Sequence, residues 1–128
     1  MSRPTWHMQR DGTEVLLSRR LPPRFDIAAE ARLPGGLRRG ALAHEIRKDL
    51  WRALQGVRGF SPAVLVRNVP AGLAVRAGGA VLGRAVPIAH LNQQIADLLG
   101  RPDLRARWIA HCARACDEQG LRKGGMTC

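Results

Sequence analysis

Residues 63–77 read AVLVRNVPAGLAVRA, and their alternation decides the fold. Val64 and Val66 alternate with Ala63, Leu65 and Arg67. Leu73, Val75 and Ala77 alternate with Ala74 and Arg76. The Val69-Pro70-Ala71-Gly72 stretch between them is a turn signal, so the segment predicts a β-hairpin. A four-residue loop pairs Asn68 with Leu73. Val64, Val66, Leu73, Val75 and Ala77 then share one face, and Ala63, Leu65, Arg67, Ala74 and Arg76 the other. A slip of one residue would mix the faces, so the pattern itself selects the loop length. One apolar face and one arginine-bearing face suit an antiparallel sheet that is wet on one side.

Other elements follow outward from this hairpin. Upstream, Phe25, Ile27, Ala29, Ala31 and Leu33 alternate with Asp26, Ala28, Glu30 and Arg32, the period of a half-buried strand. Thr13 to Arg19 predicts a short strand with Val15 and Leu17 on one face, and residues 1–12 read as polar and irregular. Leu21-Pro22-Pro23 forces an extended or turning segment. A helix is expected from Ala41 to Val57, with Ala43, Ile46, Leu50, Ala53, Leu54 and Val57 as its apolar stripe and Gly56 and Gly59 at its end.

Downstream, Gly78-Gly79 reads as a second tight turn before a further strand over Val81 to Val86. Pro87 opens a helix with Ile88, Leu91, Ile95, Leu98 and Leu99 on one side. Gly100-Arg101-Pro102 breaks it. Another helix runs from Asp103 to Cys116, with Leu104, Trp108, Cys112 and Ala115 as its stripe. The order β-α-β-β-(β)-α-α predicts an α+β two-layer sandwich: a small, mainly antiparallel sheet with the helices packed on one face. Residues 1–116 are expected to form a single domain and 117–128 a flexible tail.

Charge is the strongest compositional signal. The chain has 21 basic and 10 acidic residues, a formal net charge of +11. Nineteen of the basic residues are arginine. Codon bias in a GC-rich genome accounts for arginine in place of lysine, but not for the excess over acid. That excess favours contact with a polyanion such as nucleic acid, an acidic protein or anionic lipid. It is +6 over residues 1–60 and +5 over 61–128, so it is not a detachable basic tail. No carboxylate occurs between Asp49 and Asp97, which leaves Arg52, Arg58, Arg67, Arg76 and Arg84 unopposed in sequence.

Three groups of residues are candidates for binding. On the helix after Ala41, Arg47, Lys48, Arg52 and Arg58 gather opposite the apolar stripe, with Trp51 in the middle of the arc. Two readings fit Trp51. It stacks on a base or anchors a partner, or it tucks under the N-terminal segment and arginine stems. The loop Gly35-Gly36-Leu37-Arg38-Arg39-Gly40 joins a strand to a helix N-terminus, where backbone N–H groups receive phosphate. Its spacing is not that of a mononucleotide loop, and a solvated turn fits it better. The outer sheet face carries Arg67 and Arg76. It forms a basic platform, unless Asp26 and Glu30 neutralise it across strands.

Chemistry beyond binding has little support. Cys112, Cys116 and His111 lack the paired spacing and four ligands of a zinc site, and Cys128 lies in the tail, so no metal is expected. No Cys-x-x-Cys is present. His7, His44, His90 and His111 are scattered, and neither Ser18 nor Ser61 has a nucleophile context. No cofactor is implied. No apolar run reaches the roughly 20 residues of a membrane span, and the odd cysteine count suits the cytoplasm.

The strand and helix order resembles small RNA-binding α+β modules in outline only. The strands lack the aromatics of an RNA-recognition sheet, and a strand precedes the first helix, unlike the double-stranded-RNA module. The expected function is a non-enzymatic domain contacting nucleic acid through backbone phosphates, using Arg38, Arg39, Arg47, Lys48, Trp51, Arg52, Arg58, Arg67 and Arg76. The alternative is a protein-interaction subunit, as a homodimer or in a larger acidic complex, using Trp51 and the sheet edge. A weaker alternative is a phosphate-ligand enzyme with its site at Gly35–Gly40.

Overall fold

The structure, a computed structural model, describes residues 6–19, 22–82 and 87–113. Strands β1 (His7–Arg10), β2 (Glu14–Ser18) and β3 (Ile27–Leu33) precede helix α1 (Arg39–Leu54). Strands β4 (Ser61–Val69) and β5 (Gly72–Ala80) follow, then helices α2 (Ile88–Leu99) and α3 (Pro102–Cys112). The strands form one antiparallel sheet in the order β1-β2-β4-β5-β3. α1 packs on β2, β4 and β5, α2 packs on β3, and α3 packs mainly against α1. This is the expected α+β arrangement, with the sheet on one side and the helices on the other. Among the described residues no helix is long and apolar enough to cross a membrane.

The β4–β5 register pairs Asn68 with Leu73, as the alternation requires, and places Val66 opposite Val75 and Val64 opposite Ala77. All five expected inner residues are buried. Pairing also runs further at both ends, to Val69↔Gly72 and Ser61↔Ala80. The loop therefore tightens to Pro70-Ala71. Gly72 absorbs the reversal at φ +141, a conformation that side chains disfavour.

Gly78-Gly79 is not a turn. Both glycines lie inside β5, opposite Ala28 and Ile27 of β3 and Ala63 and Pro62 of β4. A Cβ on Gly78 would lie 1.9 Å from the Ile27 carbonyl oxygen, and one on Gly79 2.1 Å from that of Ser61. These glycines let three backbones approach closely. Val81 and Leu82 continue without strand pairing, and residues 83–86 of the expected further strand lie outside the described residues.

Within the segment 1–12 expected to be irregular, His7–Arg10 form a strand, and residues 1–5 lie outside the described residues. β1 pairs with β2 from His7↔Ser18 to Arg10↔Val15. An Asp-Gly pair between two extended runs is a hairpin signal, but here the side chain of Asp11 sets the turn. Its Oδ1 accepts the N–H groups of Thr13 and Glu14 at 2.8 and 2.9 Å. Those bonds hold the Asp11 carboxyl below its ordinary pKa. β1 is legible only weakly in sequence because it is a polar edge strand, with Met8 packing against the core.

Helix α1 begins before and ends before the expected span of Ala41 to Val57. Leu42, Ala43, Ile46, Leu50 and Leu54 form its buried stripe, whereas Ala53 is exposed. Phe25 lies ahead of β3 rather than on its inner face. Its ring lies 5.8 Å from the guanidinium of Arg76, on the outer side of the sheet. α2 buries Leu91, Ile95, Leu98 and Leu99 but leaves Ile88 exposed, and α3 buries Leu104, Trp108 and Cys112. The expected end of α3 beyond Ala113, and the tail at 117–128, lie outside the described residues.

The two sheet edges differ. On β3 the Ala28 N–H donates to Asn92 Oδ1 of α2 at 2.8 Å, and Arg105 of α3 donates to the Arg32 carbonyl at 2.7 Å. Side chains thus occupy outward-pointing backbone groups near both ends of that edge. The four-residue β1 forms the opposite edge.

Glycine substitutions separate close approach from turn chemistry. Gly78→Ala is expected to cost about 3 kcal/mol or more, because its Cβ meets backbone that has nowhere to go. Gly12→Ala meets no atom within 4 Å and needs no positive φ. It should be neutral or stabilising by up to about 1 kcal/mol. Urea denaturation of the two variants checks the contrast.

Candidate functional site

The basic arc on α1 is built around a buried acid. Asp49 is 5% exposed and is the one buried carboxylate among the described residues. It accepts from Trp108 Nε1 at 2.7 Å, from Arg52 at 3.1 Å and from Arg107. Helical spacing brings Arg52 one turn from Asp49, while α3 supplies Arg107 and Trp108. A buried carboxylate needs such donors, since ionised groups are costly to desolvate unpaired. Arg38 ties the other end of α3 down. Its side chain donates to the His111 carbonyl at 2.7 Å and its N–H to that of Cys112 at 2.8 Å.

Several expected binding residues are therefore engaged. Arg52 pairs with Asp49, Lys48 pairs with Glu45 at 2.8 Å, and Arg38 caps α3. Burial opposes ionisation of Glu45, but Lys48, His111 and Arg107 outweigh it and its pKa is lowered. On the outer sheet face Arg76 donates twice to Glu30, at 2.9 and 2.7 Å, its directly opposite residue on β3. Asp26 is drawn instead to Arg24 at 2.6 Å and to the Val81 N–H at 3.0 Å. Arg67 stands opposite Glu14 in register but makes no ion pair among the described residues. The expected platform is thus half neutralised.

A different line of arginines makes no ion pair among the described residues, although Asp11 acts through space on Arg39 and Glu45 on Arg47. It follows the seam between β1 and α1 and comprises Arg10, Arg39, Arg47, Arg19 and Arg58. At one end Arg10, Arg38, Arg39, Gly40 and Ala41 line an open hollow of about 390 Å³. Gly40 makes room there, since a Cβ would lie 2.5 Å from Arg10 Nη2. The first turn of α1 carries no acidic residue and its N-cap no side-chain bond.

Midway along the seam, the Arg47 guanidinium lies 4.4 Å from the Trp6 ring centre and that of Arg19 lies 5.9 Å from it. At the far end Arg19, Arg58, Trp51, Phe60 and Leu82 line a second open hollow of about 550 Å³. α1, which flanks the row, has 16 residues and is about 24 Å long. Two guanidinium nitrogens on it, Arg39 Nη1 and Arg47 Nε, are buried and have no hydrogen-bond partner. Such groups call for an acceptor.

Trp51 is 40% exposed and lies parallel to Phe60, with ring centres 6.3 Å apart and planes 7° apart. It lies among arginines, as the helical arc places it, and it neither enters the core nor tucks under the described part of the N-terminal segment. Trp6 takes the position under the arginines. Arg10 escapes a reading of the sequence because it belongs to the unforeseen β1, and Arg19, at the end of the strand expected over Thr13 to Arg19, because only β1 brings Trp6 beside it. The Asp-Gly pair at 11–12 is the signal that locates both.

His44 accepts from Arg47 through Nδ1 at 3.1 Å. Burial, then the charges of Arg47 and Lys48, holds its pKa below 6.5. In the 35–40 loop Leu37 is buried and bridges to Ala113, so Gly35 and Gly36 do not line the hollow at Arg38 and Arg39. Cys112 is buried, and burial raises its pKa. Cys116 and Cys128 lie outside the described residues, and among those described no three potential ligands converge on a metal site. Comparison with protein-family models, with characterised proteins and with solved structures finds no match.

Asp49→Ala should destabilise the chain by about 2–4 kcal/mol, because it strands donors on α3. Arg52→Ala should cost less than about 1 kcal/mol, its side chain being mostly exposed. Chemical denaturation followed by tryptophan fluorescence checks both.

The lowered pKa of His44 also fixes a sign. As pH falls below about 6.5 the unfolded chain takes up the proton first, so this residue makes stability decline. His44→Gln, which keeps an acceptor for Arg47, should flatten the fall in melting temperature between about pH 7.5 and pH 5.5. An unchanged slope would remove His44 as its source.

Proposed function

We propose that this chain is a non-enzymatic binding domain for a polyanion, and that the polyanion is nucleic acid held by its backbone phosphates. The observation that carries the reading is the row of five arginines along the β1–α1 seam that form no ion pair among the described residues. A linear row suits a linear ligand. Each guanidinium that displaces a counterion from a phosphate adds affinity at low salt, without regard to base sequence. Arginine also presents a planar fork of donors that matches phosphate oxygens. Arg67 and Arg32 offer further charge on the outer sheet face, with Arg76 withdrawn by Glu30.

One observation favours a second reading, an interaction subunit: Trp51 and Leu82 are both exposed, at 40% and 52%. An acidic protein would satisfy the same arginines.

Binding of fluorescent oligonucleotides, followed by anisotropy across a salt series, tests the proposal. Arg10→Glu with Arg58→Glu changes the two ends of the row and should weaken binding at least about tenfold at low salt. The slope of log affinity against log salt should shrink by about 0.7–0.9 for each arginine lost. Arg101→Glu, away from the seam, should have a much smaller effect. No binding of DNA or RNA at low salt would sink the proposal, and an equal effect of Arg101→Glu would reduce it to diffuse attraction.

A further inference from the structure

We infer that the end of the seam at Trp51 receives an unpaired base, so that the ligand is single-stranded rather than duplex nucleic acid. This deepens the polyanion reading and rests on it. The arginine row alone does not discriminate, because both forms present phosphates. The discriminating feature is a flat aromatic beside the row.

Trp51 lines the hollow with Arg19 and Arg58, neither of which has a carboxylate partner among the described residues. Phe60 lies parallel to the indole and is itself buried, which holds the indole in place while leaving it 40% exposed. The surroundings are also set. Leu82 donates its N–H to the Arg58 carbonyl at 3.2 Å. Its side chain packs over Gly59, where a Cβ would lie 2.3 Å from Leu82 Cγ and where φ is +70. An exposed indole that lies parallel to a buried ring and lines one hollow with two arginines is suited to stack a base while the arginines hold flanking phosphates. A duplex offers no such face, since its bases are stacked on one another and only their edges reach the grooves.

A test compares the full chain binding an oligonucleotide single strand and the duplex of the same sequence and length. The single strand should bind at least about tenfold more tightly, since base stacking on an aromatic adds to phosphate contact. Trp51→Leu should lose about tenfold on the single strand and little on the duplex, whereas Trp51→Phe should keep most of the affinity. The salt slope should be unchanged in both variants, because no phosphate contact is removed. In a Trp6→Phe background, where the fully buried Trp108 is the one other indole, saturating single strand should quench the red-edge emission of the exposed Trp51 and duplex should not. This readout holds even where Trp51→Leu fails to fold.

Equal affinity for both forms, or equal loss on both in Trp51→Leu, overturns the inference while leaving the polyanion reading intact. Binding of neither form overturns both. Displacement of the oligonucleotide by polyglutamate, with the same quenching of Trp51, assigns the hollow to an acidic protein and overturns the inference.

Discussion

A carboxylate removed from water has to be met by donors, and the placing of α3 depends on how Asp49 is met. α3 packs mainly against α1 rather than on the sheet. Its attachment joins the apolar contacts of Leu104, Trp108 and Cys112 to the bonds from Arg107 and Trp108 to Asp49, with Arg38 holding its last turn. From that position Arg105 reaches the Arg32 carbonyl and closes one end of the β3 edge. A single interior charge on α1 thus orients a helix, and the helix in turn finishes the sheet. Apolar packing supplies most of the free energy of such a fold, but it is non-directional. The directional part lies in these few bonds.

The same pairing decides which charges are available to a ligand. Asp49 takes Arg52 and Arg107, Glu45 takes Lys48, and Glu30 takes Arg76. What remains in a line is Arg10, Arg39, Arg47, Arg19 and Arg58. Arginine therefore has two roles in this chain. Some guanidinium groups act as structural donors to carboxylates and helix-end carbonyls, and others form no ion pair among the described residues, two of them lying over the Trp6 ring. Net charge does not distinguish the two roles.

Much of the fold was legible because its elements carry their own periods. The 63–77 hairpin revealed its register through alternation, and α1 its buried face through helical spacing. What was not legible depends on partners distant in sequence. Asp49 reads as an ordinary polar helix residue until Trp108 arrives from 59 positions away. Gly78 and Gly79 satisfy a turn and a close backbone approach equally well, and only the neighbouring strands decide between them. β1 was missed because an edge strand needs few apolar residues. With it went Arg10 and the contact of Trp6 with Arg19, whose own strand was foreseen. Of the site foreseen, Arg39, Arg47, Arg58 and Trp51 lie on that seam, while Arg38, Lys48, Arg52 and Arg76 are held by other groups.

The unequal sheet edges limit how copies of this chain can meet. A sheet with two open edges adds strands without end, because every addition exposes a fresh template. Here the β3 side is occupied by Asn92 and Arg105, and the other side is the four-residue β1. Strand pairing through β1 consumes the edge of both partners, so assembly by that route stops at two chains related by a two-fold axis.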